Sequence, residues 1–181
     1  MKFSKGAIGI LGGSFDPPHK GHLKISNIAI KKLKIKKLYW LITKKNPFKR
    51  KPYFSLKERI LKSRNIVKKN TKIEVLYLDN IVKSSRTLNV VLHIIKKKKI
   101  RNIYLILGSD NLISFHKWTK WKKLVKLTKL VVFSRKGYDK KSKKTIVVKY
   151  LKKNIIYINN KTIDISSSKI RKKIKKISRW K

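Results

Sequence analysis

The sequence contains no cysteine, which excludes disulfides, thiolate metal sites and cysteine nucleophiles. It also lacks any apolar run near the roughly 18 residues that a membrane span needs. The first residues, MKFSKGAIGILGG, lead into a glycine pair without a signal-peptide cleavage pattern. A length of 181 residues suits one domain with a sizeable core. These features predict a soluble, cytoplasmic protein with a single domain over 1–181.

Acidic residues are nearly absent, since 7 Asp and Glu face 52 Lys and Arg and the net charge is +45. Such an imbalance is typical of proteins that bind nucleic acid. The lysines are spread along the whole chain, however. Lysine, isoleucine and asparagine are also the residues that A/T-rich codons encode, so compositional drift is an alternative. A diffuse positive charge attracts polyanions without having that purpose.

The residue types that this bias disfavours are informative where they occur. Asp16, one of the 7 acidic residues, lies within a glycine-rich segment. Arginine is expected where forked contacts with phosphate are needed, because lysine cannot make them. Arginine occurs at positions 50, 59, 64, 86, 101, 135, 171 and 179.

Short β-branched runs alternate with longer amphipathic segments. The runs AIGIL, KLYWLIT, IEVLYL, NIYLILG and LVVFS predict strands, and KTIVVKYL and NIIYI predict two weaker ones. Segments 20–34, 55–69, 87–98 and about 119–128 predict helices, followed by a C-terminal helix at about 166–178. Regular alternation implies crossover connections. We therefore predict an α/β fold, a doubly wound, Rossmann-like parallel sheet with helices on both faces.

The segment GGSFDPPHKGH, residues 12–22, is a strand-to-helix turn that follows AIGIL. A glycine-rich turn that opens a helix presents free backbone N–H groups and the positive end of the helix dipole, which together favour an anion. If Pro18 occupies the first helical turn, His19 and His22 share one helix face. The alternative is a plain turn with one capping and one surface histidine. Two of the 4 histidines fall in this turn, which favours a phosphate site.

Three further clusters follow predicted strands, where ligands bind in doubly wound sheets. KKNPFKRK, with Asn46 and Lys49, is either a solvated loop or a phosphate contact. GSDNLISFHKWTKW has Gly108 and Asp110 in its turn. SRKGY follows the fifth predicted strand, and Arg135 is its second residue.

The first turn does not match the dinucleotide G-x-G-x-x-G pattern or a P-loop. It resembles the signature of the nucleotidylyltransferase superfamily, whose H-x-G-H element is matched by His19, Gly21 and His22. That superfamily shares its fold with class I aminoacyl-tRNA synthetases. This motif alone leaves pantetheine-phosphate adenylyltransferases and cytidylyltransferases open.

Later segments narrow the resemblance to bacterial nicotinate-nucleotide adenylyltransferases. GSDNLISFHKW resembles their G-x-D…W segment, VVFSRKGY their SRPGY-like strand end, and DISSSKIR their ISSTxIR-type motif. All four motifs lie in family order. Two departures occur: Val90 stands where a second threonine would follow Thr87, and Lys136 replaces the usual proline.

The resemblance implies transfer of AMP from ATP to nicotinate mononucleotide, which yields nicotinate adenine dinucleotide and pyrophosphate in NAD biosynthesis. Mg²⁺ would be carried by ATP, without a metal site built from protein ligands. ATP and the mononucleotide would be the partners, with no specific nucleic acid and no membrane. The alternatives are a pantetheine-phosphate or nicotinamide-nucleotide adenylyltransferase, or a basic nucleic-acid-binding protein on this fold in which Trp180 stacks on a base. The oligomeric state stays open.

The resemblance also implies roles for individual residues. His19 and His22 would stabilise charge on the reacting phosphates, and Asp110 would accept hydrogen bonds from the adenosine ribose. Trp118 would stack on the pyridine ring, unless it and Trp121 are hydrophobic anchors of a helix. The expected ATP-binding residues are Gly12, Gly13, Ser14, Phe15, His19, His22, Gly108, Asp110, Ser166, Ser168 and Arg171. The expected mononucleotide-binding residues are Asn46, Lys49, Thr87, Trp118, Thr119 and Arg135.

Overall fold

A parallel sheet with strand order β3-β2-β1-β4-β5-β6 organises the computed structural model, which describes residues 6–46, 51–160 and 165–177. Every neighbouring pair of strands is parallel. The strands are β1 (Ile8–Gly13), β2 (Lys37–Ile42), β3 (Ile73–Leu76), β4 (Ile103–Gly108), β5 (Lys129–Phe133) and β6 (Ile155–Ile158). The predicted doubly wound α/β fold is confirmed.

Helices connect the strands and cover both faces of the sheet. They are α1 (Lys20–Lys32), α2 (Leu56–Val67), α3 (Thr87–Lys98), α4 (Ser109–Ile113), α5 (Trp121–Leu127), α6 (Asp139–Lys143), α7 (Ile146–Leu151) and α8 (Ser167–Ile177). A 3₁₀ turn at Phe115–Lys117 separates α4 from α5. Among the residues described, no helix combines the length and apolarity that crossing a membrane requires.

Alternating side chains of each strand supply two hydrophobic cores, one on each face. In β4, Leu105 and Leu107 pack in the core that also contains buried residues of α3. Ile106, between them, packs in the opposite core with Ala29 of α1 and Val67 of α2. This period of two is the geometry of a strand buried on both faces.

The chain order reverses between β1 and β4, which lie side by side at the centre of the sheet. β1 leads to β2 on one side, whereas β4 leads to β5 on the other. Connections that diverge in this way leave a crevice beyond the carboxyl ends of the two strands. The glycines that end β1 and β4, Gly13 and Gly108, both lie at this edge.

One predicted strand is wrong. KTIVVKYL forms helix α7, in which Val147 and Leu151 are buried and stand four residues apart. That spacing places both on one helical face, against the core that contains β5. The β-branched composition suggested a strand, but the burial pattern is helical. The other weak candidate, NIIYI, does form a strand, β6.

Candidate active site

The turn after β1 places two histidines at the start of α1. His19 is the N-cap, with extended dihedral angles of φ −152° and ψ 168°. The condition that Pro18 occupies the first helical turn is not met, because the helix begins only at Lys20. The two imidazole rings nevertheless lie together, with centroids 3.9 Å apart.

Each of these histidines caps the helix with its Nδ1 atom. The backbone N–H of Gly21 donates to His19 Nδ1 at 3.2 Å, and the backbone N–H of His19 donates to His22 Nδ1 at 3.2 Å. A Cβ atom on Gly21 would lie 2.8 Å from His19 Nδ1, which explains the glycine between the histidines. Because Nδ1 accepts, the proton of each neutral imidazole lies on Nε2.

Burial, followed by the positive charge of Arg135, lowers the pKa of His19 to about 4. The ligand-free protein therefore holds a neutral His19 at neutral pH. A neutral imidazole with its proton on Nε2 is a hydrogen-bond donor of fixed direction. Such a donor suits an anion that gains charge during a reaction.

Aromatic packing below the histidines holds the turn in shape. Phe15 adopts a positive φ of 48° and is 2% exposed. Its ring stacks on Trp40 at 4.9 Å and contacts His22 at 4.8 Å. Trp40 Nε1 donates to Ser26 Oγ at 2.8 Å, and that hydroxyl donates to the carbonyl of His22 at 2.8 Å. Trp40 therefore supports the predicted site, and no sequence motif indicated it.

The end of β4 supplies a carboxylate with one engaged oxygen. Arg135 Nη1 donates to Asp110 Oδ2 at 2.7 Å. Asp110 Oδ1 is buried and has no hydrogen-bond partner among the residues described. A Cβ atom on Gly108 would lie 2.5 Å from that oxygen, so a side chain there would displace the carboxylate. Asp110 thus retains one acceptor for a hydroxyl group.

The C-terminal helix docks on the turn that carries the histidines. Ser167 Oγ donates to the carbonyl of Pro17 at 2.9 Å. Arg171 donates to the carbonyl of Asp16, lies 3.5 Å from its Oδ2, and donates to Ser168 Oγ at 3.1 Å. The hydroxyl of Ser166 accepts from the N–H of Lys169 at 3.2 Å, which caps the helix. Residues 150 positions apart are thereby joined.

Asp16 connects several segments around the turn after β1, and its side chain is buried, with 6% of the residue exposed. Its carboxylate accepts from the backbone N–H groups of Tyr53 at 2.8 Å and Phe54 at 2.9 Å. It therefore joins the turn after β1 to the segment before α2, in addition to Arg171. A carboxylate suits this position in a chain with few acidic side chains, because it accepts from several donors at once.

A largely apolar cavity opens beside this turn, beyond the ends of β1 and β2. Asp79 and Arg86 also border it, although the sequence motifs indicated neither. A Cβ atom on Gly12 would meet no atom of the described residues within 4 Å, which leaves room for a ligand beside the strand end. Six of the predicted site residues line the cavity: Gly12, Gly13, Asn46, Thr87, Trp118 and Thr119.

The two tryptophans of the fourth strand's loop have different surroundings. Trp118 lines the cavity and packs on Phe115, with ring centroids 4.8 Å apart. Trp121 packs edge-on against Tyr150 of α7 at 5.1 Å and does not line the cavity. Helix α3 begins at the same cavity with Thr87, and its N-cap, Arg86, makes no side-chain capping bond.

Two predicted mononucleotide-binding residues are not among the cavity walls that the structure describes. Arg135 contacts Asp110 and acts electrostatically on His19, so it lies on the side of the histidines and not among the cavity walls. Lys49 falls outside the described residues. Within the described ranges, no cluster of three or more His, Asp or Glu side chains could hold a metal ion.

Arg59 is a buried residue next to the site that the sequence motifs did not indicate. It is 2% exposed, and its guanidinium reaches the turn after β1 and the loop after β2. The available signal was the rarity of arginine in a chain rich in lysine. That signal identifies positions where a fork is needed, but not what the fork contacts.

Comparisons with known proteins find relatives that match most of the chain. The family model described as cytidylyltransferase-like matches residues 10–173. A probable nicotinate-nucleotide adenylyltransferase of Pelagibacter ubique is 47% identical over 169 residues, which cover 93% of this chain and 93% of the relative. One of Clostridium tetani is 35% identical over 175 residues, covering 92% and 86%.

Solved structures share the fold. The nicotinic acid mononucleotide adenylyltransferase of Plasmodium falciparum, complexed with NaAD, superposes with a TM-score of 0.75 at 21% identity. The match covers 92% of this chain and 83% of that one. The same enzyme complexed with APC gives a TM-score of 0.72.

Proposed function

We propose that this chain, which belongs to the cytidylyltransferase-like family, transfers AMP from ATP to nicotinate mononucleotide. The products are nicotinate adenine dinucleotide and pyrophosphate, a step of NAD biosynthesis. One observation carries the proposal: the strand end Gly12–Gly13 lines a largely apolar cavity, and the turn that follows it carries two imidazole donors. A triphosphate and a pyridine ring would thereby meet at one place.

The reaction needs no covalent enzyme intermediate. An oxygen of the ionised mononucleotide phosphate attacks the α-phosphorus of ATP, a new P–O bond forms, and the bond to the β-phosphate oxygen breaks. Pyrophosphate leaves with the negative charge of the broken bond. Catalysis then consists of positioning two substrates and stabilising the charge that develops on the transferring and leaving phosphates.

The histidine side of the strand end fits ATP. His19 and His22 would donate from Nε2 to phosphate oxygens, and the backbone N–H groups near Ser14 and Phe15 would add further donors. Asp110 Oδ1, which has no hydrogen-bond partner in the part of the chain that the structure describes, would accept a ribose hydroxyl. Arg171, Ser166 and Ser168 would hold the triphosphate from α8.

The cavity side fits the mononucleotide. Trp118 would stack on the pyridine ring, and the backbone N–H groups of Thr87 and Thr119 would meet its carboxylate. Such donors leave the NH₂ of an amide facing another donor, which discriminates against nicotinamide. Asn46 and Lys49 would contact the phosphate, whereas Arg135, because it bonds to Asp110, would approach the phosphates from the ATP side.

Magnesium would travel with the triphosphate, where it shields negative charge while keeping most of its water ligands. The carboxylates of Asp16 and Asp110 fit this arrangement, because each already engages an arginine. ATP and magnesium are cytoplasmic reagents, so we place the protein's activity in the cytoplasm.

The alternative of nucleic-acid binding rests on the net charge of +45. Release of pyrophosphate distinguishes the two functions. The purified protein should release pyrophosphate from ATP and Mg²⁺ when nicotinate mononucleotide is added and nucleic acid is absent. Release that requires nucleic acid would favour the alternative, and no release in either condition would contradict the proposed reaction.

A further inference from the structure

Arg59 is a cation enclosed at the boundary between the two halves of the proposed site. Its guanidinium donates to four main-chain carbonyls: Ser14 at 2.7 Å, Thr43 at 2.8 Å, Lys44 at 3.1 Å and Phe54 at 3.2 Å. The acceptors come from three separate segments of the chain. Burial lowers its pKa, while the charges of Asp16 and Asp79 act in the opposite direction.

The connected segments belong to different substrates in the proposed function. Ser14 lies in the turn that would hold the ATP phosphates, whereas Thr43 lines the cavity for the mononucleotide. A single atom, Arg59 Nη1, donates to the carbonyls of both. The separation of these two loops is therefore set by one side chain, in addition to the ladder between β1 and β2.

Only arginine can make this set of contacts. Its planar fork presents Nε, Nη1 and Nη2 in fixed directions, and here each of the three donates. A lysine at position 59 would keep the charge but would offer one nitrogen for acceptors in three segments. The remaining carbonyls would lose their guanidinium donors, which favours movement of their loops.

We propose that Arg59 is a positioning residue that sets the distance between the attacking phosphate and the α-phosphorus by fixing the loops after β1 and β2. The inference rests on the proposed function, since it assigns one substrate to each loop. It predicts a defect in kcat, because each loop still binds its own substrate when their separation changes. A residue needed only for folding would lower the amount of active enzyme and leave the behaviour of each molecule unchanged.

The test compares Arg59→Lys with Arg64→Lys, an exposed arginine on the same helix. A displacement of about 1 Å can cost about 10²-fold in rate, so we expect kcat of Arg59→Lys to fall roughly 10- to 100-fold. KM for each substrate should change by less than about threefold. Arg64→Lys should match the unaltered protein. Equal kcat values for both variants, or a defect confined to KM, would overturn the inference.

A second variant and a second measurement address folding. Guanidinium ions added to Arg59→Ala should restore part of kcat, whereas ammonium ions should not, and equal effects of the two ions would count against the inference. In the unaltered protein, binding of a non-hydrolysable ATP analogue should slow amide exchange in residues 43–46 as well as in 14–16. Protection limited to 14–16 would contradict coupling through Arg59. Absence of turnover in the unaltered protein would instead refute the proposed function.

Discussion

His19 and His22 hold each other in place: the backbone N–H of His19 donates to His22 Nδ1 at 3.2 Å, and the two rings lie 3.9 Å apart. This geometry separates the two nitrogens of His22 by role. Nδ1 maintains the helix cap, and Nε2 carries the proton that would reach a phosphate.

Replacing His22 tests that separation of roles. In His22→Asn the amide oxygen replaces Nδ1 as the cap acceptor, but no group replaces Nε2. We expect a fall in kcat of about 10²–10³-fold, equivalent to about 2.7–4 kcal/mol, with a much smaller change in ATP affinity. His22→Ala should lose the same activity and, in addition, thermal stability. Near-normal turnover in His22→Asn would make the histidine purely structural.

His19 predicts a pH dependence of folding. Its pKa falls from 6.5 to about 4 on folding, because burial and Arg135 disfavour the charged form. The unfolded chain therefore binds more protons between these values, so stability falls as the pH drops through this window and levels off below it.

The measurement is the melting temperature from neutral pH down to about pH 4, compared with that of His19→Asn. Asparagine keeps an N-cap acceptor but does not titrate. The fall in melting temperature should be smaller in His19→Asn, while the exposed His116→Asn should behave like the unaltered protein. Parallel curves for all three proteins would show that His19 does not resist protonation.

Trp118 and Trp121 form a matched pair for the mononucleotide pocket. Trp118→Ala should raise KM for nicotinate mononucleotide and leave ATP affinity largely intact, because Trp118, unlike Trp121, lines the cavity. Trp121→Ala removes the packing on Tyr150 and should lower the melting temperature without a selective change in KM. Unchanged mononucleotide affinity in Trp118→Ala would return that residue to the hydrophobic core.

Arg171→Lys tests the docking of α8. Lysine keeps the charge but loses the fork by which Nη1 faces Asp16 and Nη2 faces Ser168, so KM for ATP should rise and high ATP should recover part of the rate. The neighbouring exposed Lys172→Ala is the control. If KM for ATP is the same in Arg171→Lys as in the control, Arg171 does not serve the triphosphate.

The fold was predictable from the sequence because burial on both faces gives each central strand a continuous apolar run, as in NIYLILG. The strand predicted for KTIVVKYL was wrong. Its β-branched residues favoured a strand, and the helical spacing of its buried residues is visible only in the structure. The site residues fall into two groups, those that sequence motifs indicated and those that they did not. The motifs indicated side chains such as His19 and Asp110, whose roles stay predictions.

Side chains that act through main-chain carbonyls could not be named. Arg59 contacts the carbonyl of Ser14, 45 residues away in the sequence, and no local pattern encodes that contact. Trp40 lies in a strand where any large apolar residue fits the periodicity. The sequence therefore does not indicate that its indole N–H bonds to Ser26. Contacts between residues far apart in the sequence become visible only in the structure, where the ends of β1 and β2 lie side by side.

Turnover of competing substrates tests the central claim most directly. The purified protein is given ATP and Mg²⁺ with nicotinate mononucleotide, nicotinamide mononucleotide or pantetheine phosphate in separate reactions, and the adenylylated product and pyrophosphate are measured. We predict formation of nicotinate adenine dinucleotide and pyrophosphate in equal amounts, with a marked preference in kcat/KM for the nicotinate substrate. Equal turnover of the two mononucleotides would contradict the carboxylate pocket, and a preference for pantetheine phosphate would contradict the proposed function.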